Sequence, residues 1–459
     1  MSTTTGSGSL ASALEAQRER LLPCVHCGFC LPACPTYNRL GDEADSPRGR
    51  LHLMQAVVDG RLDAGSDAFH THIDRCLGCR ACEPVCPSGV EYGTLLELAR
   101  ETATRARPQG KLTRALLAVM GSPALRAVFF LGGRTLRSLG VARLAVRLIP
   151  AGARLGGIRL AFAMLASSSP PGRRLQKAPV NAVPSRAIGA VAVADDDSVG
   201  PVPRGSRGRV AYLEGCVQRG LFERINQATV RTLEANGYEV VPVAHQGCCG
   251  ALHAHGGDLR NARRLAGANI LVFEGVEIDY VAVNAAGCGA AMKDYGTLFE
   301  SNQEMSTRAE AFAAKVRDVT ELLSQAGPRR GAPVSCSVAY DHPCHLLHAQ
   351  GVAQEPLDVL RAVPGIDVRL IDRADECCGG AGIYGITHPE LGGRIGRDKV
   401  AAILREEADH ACTPNPGCMM QIGAGLLLEG SSDVAVHPIE LLDESYRRAG
   451  YYSATGDSQ

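Results

Sequence analysis

The sequence predicts a multidomain α plus α/β protein: an N-terminal helical module, a basic helical segment, and a C-terminal pair of α/β cysteine-rich repeats. Three observations predict it. Cysteines crowd into two tight motifs within the first ninety residues. Residues 102–194 hold no Asp or Glu but 15 Lys and Arg. Residues 209–450 run twice through one order of strand-like and helix-like segments, each pass carrying four cysteines in register. At 459 residues the chain exceeds one ordinary core, and its units are expected at 1–100, 101–208, 209–330 and 331–459.

Composition narrows the function classes. The chain is 45% apolar and 21% charged with a formal net charge of zero, as in an ordinary globular protein. Neutrality argues against nucleic acid as a partner. The absence of Trp and an aromatic content of 4% leave little for base stacking. The informative number is 18 cysteines. Met1–Leu10 has neither the basic nor the apolar region of a secretory signal. The chain is no small domain in need of staples, and its thiols are clustered rather than scattered. Such thiols read as metal ligands in a reducing compartment. No run of 18 apolar residues is present, so no transmembrane helix is expected.

Residues 1–20 form a polar lead-in ending in a short helix near Ala11–Leu22. The first motif follows: Cys24-Val-His-Cys27-Gly-Phe-Cys30-Leu-Pro-Ala-Cys34-Pro35. The second is Cys76-Leu-Gly-Cys79-Arg-Ala-Cys82-Glu-Pro-Val-Cys86-Pro87. Both read C-x2-C-x2-C-x3-C-P, the spacing of bacterial two-cluster ferredoxins, in which the fourth cysteine of each motif serves the other cluster. Cluster I therefore takes Cys24, Cys27, Cys30 and Cys86, and cluster II takes Cys76, Cys79, Cys82 and Cys34. Zinc sites usually offer two C-x2-C pairs instead. The expected cofactors are two 4Fe-4S clusters. Between the motifs, Ser46 as N-cap and Pro47 at the first helical position start a helix with Leu51, Met54 and Val58 on one face. Tyr92–Arg107 reads as helix again, which makes this a helical ferredoxin module. His26, inside the first loop, reads as a surface histidine.

In the acid-free segment, Arg114, Arg126, Arg134, Arg137, Arg143, Arg147, Arg154 and Arg159 stand among Leu, Val, Ala and Phe. At helical spacing this gives an apolar face flanked by arginines, suited to an anionic membrane surface or a partner subunit. The plainer alternative is a solvated helix pair covering the ferredoxin module. Ser167–Gly208, rich in Pro, Ser, Gly and Ala, reads as a linker.

The repeats align at offsets of 128 to 130 residues. Arg209–Cys216 matches Ser337–Cys344, Gln246–Gly250 matches Asp375–Gly379, and Ala286–Cys288 matches Pro416–Cys418. Expected strands are Glu239–Ala244, Tyr280–Asn284, Asp367–Asp372 and His410–Thr413, with helices Leu221–Asn236, Asp258–Phe273, Leu346–Arg361 and Pro389–Glu406. Every repeat cysteine then follows the C-terminal end of a strand, where parallel α/β sheets build their sites. Cys216, Cys248, Cys249 and Cys288 form one constellation, and Cys344, Cys377, Cys378 and Cys418 the other. Both are candidates for further iron–sulfur clusters, set against buried, inert cysteine. Gly250 and Gly379 are expected to let the backbone approach a cofactor. His245, His253, His255, His342, His345 and His348 do not match between repeats and read as surface residues or supports behind the ligands. Cys336 and Cys412 read as structural.

The chain resembles the family of glycolate oxidase iron–sulfur subunits. The resemblance rests on Cys24–Cys30, Gly41-Asp-Glu, Ser46-Pro-Arg-Gly-Arg50, Asp74–Cys79, Cys86-Pro-Ser-Gly-Val90, Leu213-Glu-Gly-Cys216, Ala286-Gly-Cys-Gly289 and Thr387-His-Pro389. It spans most of the chain outside about residues 105–205. It implies an electron-transfer subunit that works with FAD-binding dehydrogenase subunits to oxidise glycolate and delivers electrons to quinone, in the cytoplasm on the inner face of the cell membrane. FAD is expected on those partners alone, since no G-x-G-x-x-G follows a strand here. Related families imply the alternatives: the iron–sulfur subunit of a D-lactate or glycerol-3-phosphate dehydrogenase, or a catalytic subunit like that of heterodisulfide reductase. The last has a fifth cysteine in each repeat, where this chain has Ala291 and Gln421. No catalytic acid, base or nucleophile is expected in this chain.

Overall fold

The computed structural model describes residues 13–150, 152, 155–170 and 202–452. The start of the lead-in helix and most of the linker, residues 171–201, lie outside the described residues. What is described of the lead-in is a 3-10 helix, Glu15–Leu21.

The N-terminal module is helical between its cysteine loops. Ser46 accepts the backbone N–H of Gly49 at 2.9 Å and Pro47 opens the helix Pro47–Val58. Ser66 caps Asp67–Asp74 in the same way. Tyr92–Ala106 follows the second motif. Met54, Phe69, Ile73, Leu95 and Ala99 are fully buried between these helices, with Cys76 and Cys82 in the same core.

The two repeats each build a four-stranded parallel sheet. In the first, β1 (Arg209–Tyr212), β2 (Glu239–Val241), β3 (Tyr280–Val283) and β4 (Val316–Asp318) lie in the order β2-β1-β3-β4. In the second, β5 (Cys336–Tyr340), β6 (Ile366–Leu370), β7 (His410–Cys412) and β8 (Ala435–Val436) lie in the order β6-β5-β7-β8. Register is matched too: Val210 pairs with Val240 and Tyr280, as Val338 pairs with Val368 and His410. The chain leaves β1 to one side for β2 and to the other for β3, so a crevice opens beyond the carboxyl ends of β1 and β3.

The repeats are fused through one core. Val210, Leu233, Leu322 and Leu323 of the first pack with Val338, Val359, Leu442 and Tyr446 of the second. Cys336 and Cys412 belong to this apolar core.

Two expected helices are broken. Leu346–Arg361 is Cys344–Gln350 and Glu355–Arg361, separated at Gly351, whose left-handed φ of 69° ends the first piece. Leu221–Asn236 is Val217–Leu221 and Glu223–Ala235, with Phe222 between them.

The basic segment forms Lys111–Gly121, Pro123–Ser138, Val141–Leu148 and Gly156–Ser167. It drapes over the repeats, not over the ferredoxin module. Met120 and Phe130 join Leu221, Phe222 and Ile422. Leu160, Ala163 and Met164 pack on Ala424 in the second repeat. No single helix among the described residues is long and apolar enough to cross a membrane; Lys111–Gly121 and Pro123–Ser138 reach that composition together but meet at 105°.

Candidate metal centres

The sixteen motif cysteines fall into four groups in space. Cys24, Cys27, Cys30 and Cys86 line one cavity, with Cys82 on its wall. Cys27 is exposed, and Leu22, Val25 and Phe29 around it are 70%, 69% and 64% exposed. Cys34, Cys76, Cys79 and Cys82 form a buried neighbouring group whose thiols act on one another electrostatically. The fourth cysteine of each motif thus stands with the other motif's first three.

In the first repeat, the Sγ atoms of Cys216 and Cys248 are 3.6 Å apart, and Cys249 hydrogen-bonds with Cys248 and Cys288. In the second, those of Cys378 and Cys418 are 3.3 Å apart, and Cys377 hydrogen-bonds with Cys344 and Cys378. Strand ends explain the convergence. β1 and β5 deliver Cys216 and Cys344, β3 and β7 deliver Cys288 and Cys418 at the starts of helices, and the Cys-Cys-Gly loops follow β2 and β6.

Gly250 and Gly379 have a packing role of their own. Both are left-handed, at φ 88° and 80°, and a Cβ on either would face the next helix: 3.2 Å from the Ala262 carbonyl oxygen and 2.6 Å from that of Gly392. They let the cysteine loop turn tightly onto that helix.

The thiols sit in a donor set that fits a cationic cofactor. Burial, then the neighbouring Cys344, pushes the Cys79 thiol well up. A hydrogen bond to Cys248, then burial, does the same to Cys216, while Cys216 and Cys249 hold Cys248 well down. Packed, buried thiols cannot all ionise beside one another, and a bound metal removes that conflict. Donors also aim at the sulfurs: Tyr92 Oη at Cys76 (3.6 Å), Gly78 N at Cys76 (3.4 Å), Gln218 Nε2 at Cys288 (3.7 Å), Gly379 N at Cys377 (3.4 Å) and Asn415 Nδ2 at Cys418 (3.1 Å). Such bonds stabilise thiolates and tune cluster potentials.

Cations stand near three groups, two of them buried, and sequence reasoning missed all three roles. Arg50 is fully buried, 4.0 Å from the Cys34 Sγ and 3.2 Å from the Asp45 carboxylate. Burial opposes its charge, but Cys76, Tyr92, Cys34 and Asp45 outweigh that and hold the guanidinium protonated. Lys399 pairs with Asp341 at 2.8 Å close to Cys378 and Cys377. Arg126, from the basic segment, acts on Cys216 and Cys248.

The groups also neighbour one another. Cys79 lies beside Cys344, and Leu77, Cys344, Cys377 and Tyr384 share one apolar cluster. Gly78, Arg80, Cys249, His255 and His345 line a junction between the second motif and both repeats. There His345 stacks on His255 with ring centroids 5.2 Å apart, and its Nε2 lies 3.1 Å from the Gly78 carbonyl oxygen. Burial and His255 hold the His345 imidazole neutral, at a pKa of about 3. His253 is also buried, whereas His26 and His245 are exposed. Of the two readings the sequence left open, a surface position does not describe His253, which is 1% exposed.

The comparisons agree with this layout. Residues 20–90 match the family model of a 4Fe-4S dicluster domain, and residues 210–293 and 338–423 each match that of a cysteine-rich domain. The chain is 36% identical to the probable glycolate oxidase iron–sulfur subunit of Bacillus subtilis, over 93% of this chain and 94% of that protein. It is 31% identical to the glycolate oxidase iron–sulfur subunit of Escherichia coli, over 95% and 97%. Lactate utilization protein A of an Exiguobacterium species is 28% identical over 52% of this chain and 99% of its own length.

Proposed function

The chain belongs to the family of glycolate oxidase iron–sulfur subunits, and from that membership we infer that it is the electron-carrying component of a glycolate-oxidising dehydrogenase complex. Iron–sulfur clusters, when bound, accept and release electrons one at a time. The rest is what this chain's residues contribute.

The observation that carries the reading is the gathering of sixteen cysteines into four adjoining groups. We assign Cys24, Cys27, Cys30 and Cys86 to cluster I and Cys34, Cys76, Cys79 and Cys82 to cluster II. The two repeat groups are assigned to one further cluster each. Units bounded at residues 100, 208 and 330 then each carry one part: the ferredoxin pair, the docking segment, and one cluster per repeat. The cluster I cysteines are the set with an exposed member rimmed by exposed apolar side chains, so this face suits the FAD-bearing partner. The two substrate-derived electrons of a flavin would leave across it singly.

Quinone is the proposed acceptor, with the basic segment holding the protein against the inner face of the cell membrane. Val128, Leu139 and Leu148 on that segment are 71%, 71% and 72% exposed, among arginines and without a single acid. An apolar face ringed by arginines fits anionic lipid. Arg134→Glu with Arg143→Glu and Arg147→Glu should move the complex from the membrane pellet to the supernatant; unchanged fractionation refutes this docking.

Chemical analysis tests the core reading. Anaerobically prepared protein should carry about four irons and four sulfides for each occupied cysteine group. Cys76→Ser and Cys216→Ser should each remove about one group's worth. Zinc in place of iron, with no paramagnetic signal after dithionite, would overturn it. Co-purified with its partners, the chain should support glycolate-dependent dye reduction; reduction with D-lactate or glycerol 3-phosphate but not glycolate would reassign the complex.

A further inference from the structure

We propose that a cleft between the basic segment and the first repeat binds a small oxyanion, a metabolite bearing phosphate or carboxylate. The cleft has a volume of about 720 Å³. It is bounded by the end of the 92–106 helix, the 111–121 helix, and the first turn of the 259–274 helix.

Its charge is one-sided. Arg105, Arg114, Arg260 and Arg264 line it, against the carboxylates of Glu101 and Asp258. Arg105 is engaged by Glu101 at 2.7 Å. Arg264 donates to the Asn261 Oδ1 at 3.1 Å and the Gly121 carbonyl oxygen at 3.2 Å. Among the described residues no carboxylate pairs with Arg114 or Arg260. The first turn of a 16-residue helix lies in the same wall, but the Asp258 carboxylate already caps it, accepting from the Asn261 N–H at 3.2 Å, so the attraction rests on the arginines. Guanidinium groups match carboxylate and phosphate through paired N–H donors, which selects an oxyanion over a neutral or cationic ligand.

A second observation points the same way. His253 is 1% exposed, lines the cleft, and leaves its Nδ1 without a hydrogen-bond partner. Buried polar atoms are seldom left so, and an imidazole Nδ1 that carries the ring proton is a donor an oxyanion can satisfy.

The floor is already built. Thr104 Oγ1 donates to the Gly257 carbonyl oxygen at 3.1 Å, Arg100 donates to that of His255 at 2.8 Å, and Gln109 donates to that of Gly256. The loop ahead of the 259–274 helix is therefore held to the ferredoxin module before any ligand arrives. None of the sixteen motif cysteines lines the cleft, and its existence does not depend on which substrate the complex oxidises.

Titration calorimetry on the full chain, with inorganic phosphate and separately with oxalate at low ionic strength, tests the proposal. At least one probe should bind saturably at one site. Arg114→Gln with Arg260→Gln, both at exposed positions, should weaken it about tenfold or more, and each single variant should weaken it less. Arg143→Gln, outside the cleft, should leave it unchanged. Binding of phosphate alone identifies a phosphoryl ligand, and of oxalate alone a carboxylate. No saturable binding of either probe, undiminished binding in the double variant, or an equal loss in Arg143→Gln overturns the proposal.

Discussion

Lys399 and Asp341 show how one residue can separate two copies of a motif. Both side chains are 2% exposed and 2.8 Å apart. Lys399 also donates to the Arg373 and Ala374 carbonyl oxygens at 2.8 and 3.2 Å. The repeat offsets put Asn269 and Leu213 at their places in the first copy. Asn269 there does the local work without charge, donating to the Cys248 carbonyl oxygen at 3.0 Å and accepting from Gly247 at 2.8 Å. Lys399→Met leaves a buried carboxylate uncompensated, so urea unfolding should show a loss of roughly 3–5 kcal/mol. Lys399→Met with Asp341→Leu should recover most of it. His437 offers a pH test. It is fully buried, caps the helix Pro438–Arg448 by accepting from the Ile439 N–H at 3.2 Å, and burial lowers its pKa from 6.5 to about 3. The unfolded chain protonates first, so this group costs nothing above pH 6.5 and its cost grows as pH falls towards 3. At pH 5 the loss is about 2 kcal/mol. His437→Asn, which keeps an acceptor for the cap, should flatten that part of the stability curve; an unaltered acid limb would refute the assignment. The cysteines were legible because spacing alone encodes them. Lys399 and His437 were not, since a buried ion pair and a buried neutral imidazole leave no periodic mark.

Among elements, the long helices and strands of the repeats were legible from hydrophobic period and from the repeat itself. β4 and β8 were not, because they hold three and two residues and lie past the last matched cysteine of each repeat, where no motif marks a strand end. The breaks at Gly351 and Phe222 were missed because each lies inside a run of otherwise sound helix formers. Contact between elements was legible least of all. A Cβ at Gly220, in the short helix after Cys216, would come within 2.4 Å of the Phe130 ring. Gly220→Ala should therefore lever the 123–138 helix away and cost about 1–3 kcal/mol, read as a lower melting temperature. Gly220→Ala with Phe130→Leu should restore part of it. Gly379→Ala adds left-handed strain to a 2.6 Å clash with backbone, and should cost more than Gly220→Ala by the same measure.

Across the whole molecule, the ferredoxin module is gripped from both sides. Arg39 bridges to Glu376 at 3.0 Å and to Asp398 at 2.7 Å on the second repeat, and Tyr384 donates to the Arg75 carbonyl oxygen at 2.8 Å. Arg80 pairs with Asp294 on the first repeat. Arg39→Ala leaves the largely buried Glu376 carboxylate to Arg373 alone, at 2.6 Å. Limited proteolysis should then cut sooner between module and repeats, with overall stability lower by roughly 1 kcal/mol, the scale of a pair whose acid keeps a second partner. Equal cleavage rates would show that the apolar junction alone holds the parts together. The sequence said nothing of this embrace, because its partners are some 200 to 360 residues apart.

The placement of ligands at strand ends has a consequence for biosynthesis. Cys24, Cys27 and Cys30 emerge from the ribosome within one short loop and need only Cys86 to complete their set. Cys216 and Cys288 are 72 residues apart and meet only once β1 and β3 have paired. Under the proposed assignment, iron delivery to the repeats waits for a closed sheet, whereas the leading loop can capture iron on the nascent chain. Pulse-labelled protein should acquire its iron in two stages, and a Val281→Pro substitution, which breaks the β3 ladder, should block the later stage while sparing the earlier one.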